Sequence, residues 1–215
     1  MMTIQEEISA ALQKGKAKDV KALVQQAIDQ GIGAKSILED GLMTGMNIIG
    51  GKFKRNEVFV PEVLIAARAM NVGTALLKPL LATAGVEAAG KVVIGTVKGD
   101  LHDIGKNLVR LMMEGKGLEV IDLGVDVSAE RFVQAVNDHQ PDIVALSALL
   151  TTTMNEMKVV VDALNAAGIR DKIKIMIGGA PITESFRVSI GADSFTVDAA
   201  SASEGAIALI TQKAA

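Results

Sequence analysis

The residues most able to do chemistry in this sequence are a histidine and the carboxylate two positions before it. His102 follows Asp100 in the stretch 99–105. At this spacing the carboxylate can accept a hydrogen bond from one imidazole nitrogen, which fixes the tautomer and leaves the other nitrogen as a metal ligand or a base. An ordinary loop histidine capped by its neighbours has the same spacing, so the pair alone does not choose between these interpretations.

The residues on either side of His102 indicate a loop between a strand and a helix. The apolar run 91–97 before it is typical of a buried strand. After it, Leu108, Leu111 and Met112 fall on one face of a predicted helix. In open α/β sheets, the loops at the carboxyl ends of the strands carry the groups that contact ligands. The sequence therefore predicts that His102 lies at a ligand site.

Two further groups of residues follow predicted strands. The hydroxyl side chains of residues 151–153 are typical of a helix start, where they cap unpaired amides. Gly178 and Gly179 form either a tight turn or a bare backbone that a bulky ligand can approach closely. Asp103 is predicted to be the N-cap of the helix that follows it. Topology gathers these groups and His102 at one edge of the sheet.

A metal site built from protein ligands alone and a nucleotide triphosphatase both fit this sequence poorly. Zinc and iron usually take several side-chain ligands, but the other histidine, His139, lies at a predicted polar helix end. The Walker pattern needs a shorter spacing than the five residues between Gly99 and Gly105. A lone histidine instead suits a macrocyclic cofactor that brings the equatorial ligands of its own metal.

Composition narrows the class of protein. The 215 residues are 49% hydrophobic and include no cysteine, which excludes disulfides, thiolate zinc sites and cysteine nucleophiles. A net charge of −3 without a basic run predicts no nucleic-acid partner. The first residues lack the pattern of a signal peptide, and no apolar run is expected to reach the roughly 20 residues that span a bilayer. We therefore expect a cytoplasmic protein with no membrane partner.

Hydrophobic periodicity divides the chain into two domains. Residues 1–83 show helical patterns only, which predicts a four-helix bundle as a helical cap domain. Residues 84–90 are small and weakly patterned, so we predict a linker there. Residues 91–215 alternate strand and helix patterns. The predicted strands are 91–97, 119–123, 142–147, 173–177 and 194–197, and the predicted helices are 104–115, 129–137, 152–167, 183–190 and 201–211.

Five such strand–helix units predict a parallel sheet covered on both faces. Right-handed crossovers then favour a doubly wound, flavodoxin-like (Rossmann-like) α/β fold with the strand order 2-1-3-4-5. In that order a crevice opens between the first and third strands, beside the loop of His102.

The third and fourth helical patterns of the cap carry unusual residues. The pattern over 34–53 contains Gly41 and Gly45, and each glycine costs about 1 kcal/mol relative to alanine inside a helix. They indicate either a close helix crossing or a nearby ligand. Pro61 suits the first turn of the fourth helix, which we predict to end near Pro79.

Together these residues resemble the cobalamin-binding signature shared by methionine synthase and corrinoid methyl carriers. The matching positions are Asp100-x-His102-x-x-Gly105, then Ser147-x-Leu149, then Gly178-Gly179. Residues 41–50 and 59–70 are similar to the helical cap module of the same proteins, in the same order along the chain. Size and domain content are similar to the corrinoid proteins of methylamine, methanol or glycine-betaine methyltransferase systems.

The resemblance implies that cobalamin is the cofactor and that His102 is the lower axial ligand of its cobalt, with the benzimidazole base displaced. Asp100 matches the carboxylate partner of that histidine, and Thr153 matches the relay hydroxyl, which is serine in methionine synthase. The cofactor contacts implied in this way are Gly99, Asp100, His102, Asp103, Ile104, Gly105, Ser147, Leu149, Thr151, Gly178, Gly179 and Ala200, with Glu39, Phe53 and Val60 in the cap.

The function implied by the resemblance is that of a methyl carrier. Such a protein accepts a methyl group on cobalt from a substrate-specific methyltransferase. It passes the group to a second, corrinoid:tetrahydrofolate or corrinoid:thiol methyltransferase, and a reductive activase is a further implied partner. The chain is then a non-catalytic corrinoid subunit of a methyltransferase system, because no substrate barrel is predicted.

Three other classes are alternatives. A cobalamin-dependent sensor or regulator joins similar domains to a DNA-binding module, but no basic recognition helix is predicted here. The small subunit of a carbon-skeleton mutase lacks a helical cap of this kind. A flavodoxin needs aromatic groups that stack on flavin, and a receiver-like module needs an acidic cluster after its first strand. Aromatic residues make up 2% of this chain, and the loop after the first strand carries the histidine instead.

Overall fold

The computed structural model describes residues 2–214 of the chain. These residues divide into two compact units, of which the first extends to Ala88 and the second begins at Ala89, with 115–117 grouped with the first. The elements of the first unit are helical, whereas strands and helices alternate in the second. A helical region followed by an α/β region is therefore the architecture that the sequence predicts.

The helical unit is built from five α-helices and one π-helical segment. They are α1 (Ile4–Gln13), α2 (Ala17–Asp29), α3 (Ala34–Ser36), the π-helical segment (Ile37–Met43), α4 (Thr44–Lys54) and α5 (Val60–Thr83). A capping box begins α1, in which the Thr3 hydroxyl accepts from the Glu6 amide and the Glu6 carboxylate accepts from the Thr3 amide. Gly15 follows α1 in the left-handed conformation, with φ 66°, as is typical after a helix end.

The two glycines inside the third helical pattern are explained by a close helix crossing. A Cβ atom at Gly45 would lie 3.1 Å from the Cα and carbonyl oxygen of Ser9, and one at Gly41 would lie 3.2 Å from Ile8. Both contacts are made with α1. The pattern is not one regular helix, however, because the π-helical segment interrupts it between α3 and α4. Turns of this kind are rare and occur often at functional sites.

The last helix of this unit differs from its prediction in two respects. It continues past Pro79 to Thr83, whose hydroxyl donates to the Pro79 carbonyl at 2.9 Å. Within the described residues, α5 is the one helix long and apolar enough to cross a membrane, with a mean hydropathy of 1.3. The expectation that no apolar run reaches that length is therefore wrong. Buried helices of soluble proteins pass the same test, and α5 buries Val63, Met70 and Leu77 inside the unit.

The α/β unit is a five-stranded parallel sheet with helices on both faces. Its elements are β1 (Lys91–Thr96), α6 (Ile104–Gly115), β2 (Glu119–Asp122), α7 (Ala129–His139), β3 (Ile143–Ser147), α8 (Asn155–Ala166), a 3₁₀ turn (Arg170–Lys172), β4 (Lys174–Gly178), α9 (Glu184–Ile190), β5 (Ser194–Phe195) and α10 (Ala199–Ala214). The strand order is β2-β1-β3-β4-β5, which confirms the predicted flavodoxin-like order.

Alternate residues of each strand pack on opposite faces of the sheet. One face packs on α7 and α8 through a cluster that includes Val93, Val144 and Phe132. The other face packs on α6 and α10 through a cluster that includes Val92 and Ile143. Burial on both faces explains why the strands are continuous apolar runs in the sequence.

Some boundaries differ from those predicted at the edge of the sheet that carries the candidate site. Strand β5 ends at Phe195 instead of residue 197, and the Val197 side chain is exposed. Helix α8 begins at Asn155 instead of Thr152, because residues 151–154 form turns. Helix α10 begins at Ala199, two residues earlier than predicted.

Candidate functional site

The candidate site lies at the carboxyl ends of β1, β3 and β4. The register aligns Thr96 with Ser147 and Ser147 with Gly178, so the loops that follow these strands begin side by side. The chain leaves β1 for α6 on one face of the sheet and leaves β3 for α8 on the opposite face. A crevice opens where neighbouring strands diverge in this way, and open α/β proteins bind ligands there.

A buried carboxylate joins the two loops that border this crevice. Asp100, whose side chain is fully buried, accepts from the Nδ1 of His102 at 2.7 Å and from its amide at 3.1 Å through Oδ1. Its Oδ2 accepts from the Thr153 hydroxyl at 2.7 Å and from the amides of Leu149 at 2.8 Å and Leu150 at 3.3 Å. Both oxygens are therefore satisfied, as a buried carboxylate requires.

These hydrogen bonds determine the protonation state of Asp100. Burial has the largest single influence and raises the pKa of this carboxyl group. The hydrogen bonds from Thr153, Leu149 and His102 oppose burial and together hold the pKa well below its usual range. Asp100 is therefore ionised at neutral pH.

The ionised carboxylate assigns the proton on the histidine. Because an ionised carboxylate only accepts hydrogen bonds, the proton between Asp100 and His102 lies on Nδ1 of the imidazole. In a neutral imidazole with its proton on Nδ1, the Nε2 atom carries a lone pair. None of the hydrogen bonds among residues 2–214 uses Nε2. The His102 side chain is half exposed, at 50%. The arrangement matches a histidine that is a metal ligand, with its second nitrogen held by a carboxylate.

The loops around His102 present apolar side chains to the outside. Leu101 and Ile104 are 70% and 75% exposed, and Leu149 and Leu150, in the loop after β3, are 43% and 41% exposed. Exposed apolar side chains clustered around a polar group mark ligand or protein binding surfaces. A large, flat and mostly apolar macrocycle would cover them, and a single axial nitrogen is what such a group requires. The residues present therefore fit a corrin.

The residues at the end of the β1–α6 loop and at the start of α6 differ in their contacts. The Asp103 carboxylate accepts from the Asn107 side-chain amide at 3.0 Å, instead of from a backbone amide as expected for an N-cap. The Asp103 carbonyl oxygen accepts from the Asn107 amide at 2.7 Å. Gly105 has open space where a side chain would be, since a Cβ atom there would meet nothing within 4 Å.

Further predicted contacts lie after β3 and β4. A Cβ atom at Gly178 would meet nothing closer than the Thr196 carbonyl oxygen at 4.0 Å, so packing does not require glycine there. Gly179 has φ 136°, and a Cβ atom there would lie 1.8 Å from the Ala148 carbonyl oxygen. Thr151 is exposed in the turns that precede α8, and Ala200 is buried in the first turn of α10. Gly178 thus leaves bare backbone open to a ligand.

Three of the predicted contacts lie in the helical unit. Glu39 is in the π-helical segment with its side chain half exposed, Phe53 is half-buried in α4, and Val60 is the first residue of α5. These residues belong to a different unit from His102. Their contact with a cofactor stays a prediction.

Sequence patterns did not predict several residues near the triad formed by Asp100, His102 and Thr153. Thr96, fully buried, donates its hydroxyl proton to the His102 carbonyl oxygen at 2.9 Å. Asp126 accepts from the Gly99 amide at 2.7 Å. The basic residue next to Gly105, Lys106, is 3% exposed and forms hydrogen bonds with the Asp122 carboxylate at 2.5 and 2.6 Å. Among these residues, Lys106 alone could have been noticed in the sequence, because it follows Gly105 directly.

The fold and this site define an α/β protein whose switch point presents one half-exposed histidine, held by a buried carboxylate. Models of the B12 binding domain match residues 90–209 and residues 4–78. A dimethylamine corrinoid protein of Methanosarcina barkeri is 40% identical over 198 residues, which cover 92% of each chain. A corrinoid protein of Desulfitobacterium hafniense is 39% identical over 207 residues, or 95% of this chain and 96% of that protein.

The architecture of this chain is similar to that of one chain in a solved complex. The crystal structure of the methanol:cobalamin methyltransferase complex from Methanosarcina barkeri matches with a TM-score of 0.88 at 34% identity, over 97% of this chain and 80% of that chain. The chain therefore belongs to the family of cobalamin-binding corrinoid proteins, and its cofactor is cobalamin.

Proposed function

We propose that this protein carries methyl groups in a corrinoid-dependent methyltransferase system. The observation that supports this most directly is the half-exposed His102 imidazole, whose Nδ1 lies 2.7 Å from a fully buried carboxylate. The relatives are corrinoid proteins, and one solved relative is part of a methanol:cobalamin methyltransferase complex. The alternative of a cobalamin-dependent sensor is not favoured by these relatives.

Bound cobalamin supplies a cobalt atom that can take up a methyl group and release it. His102 would hold this cobalt through Nε2. The hydrogen bond from Nδ1 to ionised Asp100 fixes the ring orientation and raises the basicity of the ligating nitrogen. Thr153 orients the other oxygen of that carboxylate. A proton placed on this triad would weaken the hold of His102, so the triad is suited to adjust how strongly His102 would bind the cobalt.

The remaining contacts would hold the rest of the cofactor. Gly99 and Asp103 in the β1–α6 loop, and Ile104 and Gly105 at the start of α6, would contact the corrin. The displaced nucleotide tail would lie against the residues that follow the inner strands and against the start of α10, namely Ser147, Leu149, Thr151, Gly178, Gly179 and Ala200. The open backbone at Gly178 supports this placement. Glu39, Phe53 and Val60 in the cap would contact the corrin and exclude water from the cobalt.

The partners follow from the same function. A substrate-specific methyltransferase would deliver the methyl group, and a second methyltransferase would pass it to tetrahydrofolate or a thiol. A reductive activase would restore cobalt that has become oxidised. We place the protein in the cytoplasm, as a non-catalytic subunit without a nucleic-acid or membrane partner, with residues 84–90 as the linker between its cap and its cofactor domain.

The test is to reconstitute the chain with cobalamin, reduce the cobalt to the paramagnetic Co(II) state and record its electron paramagnetic resonance spectrum. We expect hyperfine splitting from one axial nitrogen, which changes when the histidines are labelled with ¹⁵N. The His102→Ala variant loses the ¹⁵N-dependent splitting, whereas His139→Ala, which removes the other histidine of the chain, retains it. Failure of the chain to bind any corrin, or the same splitting in His102→Ala, contradicts the proposal.

A further inference from the structure

Asp126 lies outside the loop that carries His102 and makes two hydrogen bonds to that loop. It lies between β2 and α7. Its carboxylate accepts from the Gly99 amide at 2.7 Å, and its own amide donates to the Asp100 carbonyl oxygen at 3.0 Å. Both hydrogen bonds hold the backbone of Gly99 and Asp100. Asp126 therefore holds the backbone of Gly99 and Asp100, whereas Thr153 contacts the Asp100 side chain.

The backbone conformation of Asp126 is unusual for a residue with a side chain. Its φ is 55°, and Asn56 and Gln140 are the other non-glycine residues with positive φ among residues 2–214. This left-handed region is sterically unfavourable for most side chains, although aspartate and asparagine tolerate it better than others. Such conformations persist where the surroundings hold them, and they concentrate at functional sites.

The next residue shows what holds this conformation. Val127 forms a parallel bridge with Val97, and its amide donates to the Thr96 carbonyl oxygen at 3.0 Å. The β2–α7 loop is thereby attached to the end of β1, directly before the loop of His102. The left-handed turn at Asp126 directs its carboxylate and its amide to the same neighbouring stretch.

We infer that Asp126 is a positioning residue for His102. By holding the Gly99 amide and the Asp100 carbonyl oxygen, on either side of the peptide that joins these residues, it sets the direction of the Asp100 carboxylate. Through that carboxylate it sets the orientation of the His102 ring. Without the Asp126 carboxylate, the Gly99 amide loses its partner and the loop gains rotational freedom where Asp100 begins. This inference rests on the proposed role of His102 as the cobalt ligand.

The test compares three variants. Asp126→Gly introduces a residue that tolerates positive φ but removes the acceptor for the Gly99 amide. Asp126→Asn keeps an acceptor oxygen in the same conformation and should rescue the effect. Gln140→Gly is the matched control, because Gln140 has φ 48° at the end of α7, outside the candidate site.

Two measurements distinguish this inference from the proposed function. In the protein without cofactor, amide hydrogen exchange at Gly99 should become roughly 10-fold faster in Asp126→Gly, while Asp126→Asn and Gln140→Gly stay within about 2-fold of the parent. In the Co(II) form, the ratio of histidine-ligated to unligated cobalt should fall by about 2- to 10-fold in Asp126→Gly only, with total cobalamin binding retained.

Different results contradict the positioning role of Asp126 and the proposed function. An unchanged ligation ratio in Asp126→Gly overturns the inference, as does an Asp126→Asn variant that behaves like Asp126→Gly. If the parent protein shows no axial histidine nitrogen at all, the proposed function fails, and the positioning role fails with it. Faster exchange at Gly99 would then describe loop stability alone.

Discussion

The Asp100 carboxylate and the Thr153 hydroxyl lie 2.7 Å apart although they are 53 positions apart in the sequence. Asp100 belongs to the loop after β1, and Thr153 belongs to the turns before α8. The contact therefore joins the two loops on either side of the switch point. It exists only because β1 and β3 are neighbours in the sheet.

Removal of this hydroxyl should destabilise the α/β unit. Thr153→Ala takes one donor from a fully buried carboxylate, which should lower the free energy of unfolding by about 1–3 kcal/mol. Thr153→Ser keeps the hydroxyl and should lose less than half as much. Urea denaturation of the protein without cofactor measures both changes. Thr152→Ala, at the exposed neighbouring position, is the control and should have little effect; an equal loss there would contradict the role given to the contact.

Asp100 should also give the stability a dependence on acid. The pKa of its carboxyl group is lower in the folded protein than the ordinary value of 3.8. The ionised group therefore stabilises the fold fully at neutral pH, and this contribution is lost as the pH falls below about 4 toward the lower folded value. Asp100→Asn, which cannot ionise, should remove that part of the decline.

The measurement is the urea midpoint of the protein without cofactor between neutral pH and the acid range. The parent and the control Asp103→Asn, at an exposed position in the same loop, should decline more steeply than Asp100→Asn. Parallel curves for the parent and Asp100→Asn would show that this carboxylate is not responsible.

The two adjacent glycines after β4 should respond differently to the same change. Gly179→Ala places a Cβ atom 1.8 Å from the Ala148 carbonyl oxygen at φ 136°, so we expect a loss of roughly 2–4 kcal/mol in the free energy of unfolding. Gly178→Ala meets nothing closer than 4.0 Å and should fold normally. If the nucleotide tail lies against this backbone, Gly178→Ala should instead weaken cobalamin binding.

Thermal denaturation without cofactor and a titration with cobalamin measure these two effects separately. A Gly178→Ala variant with the stability and the cobalamin affinity of the parent would remove the support that this glycine gives to the tail site. A Gly179→Ala variant as stable as the parent would show that the backbone moves to accept the side chain.

The amino-acid sequence by itself determined the fold class and the strand order of this protein. The continuous apolar strands and the amphipathic helices between them are local patterns, and right-handed parallel connections leave few ways to arrange them. The spacing of Asp100 and His102 is also local, so the hydrogen bond between them can be predicted from these two residues alone. Helix ends that are followed by glycine, such as the end of α1 before Gly15, are also predictable from local sequence.

Only the tertiary structure decided which distant residues surround that pair. Helix α5 continues through Pro79, because its packed apolar face outweighs the backbone hydrogen bond that a proline cannot make. Helix α8 begins at Asn155, three residues later than the sequence predicts. The residues before it bring the Thr153 hydroxyl and the amides of Leu149 and Leu150 to the Asp100 carboxylate. Asp126 reaches the same loop from another strand end. Contacts between loops depend on strand pairing and on backbone angles that no periodic pattern encodes.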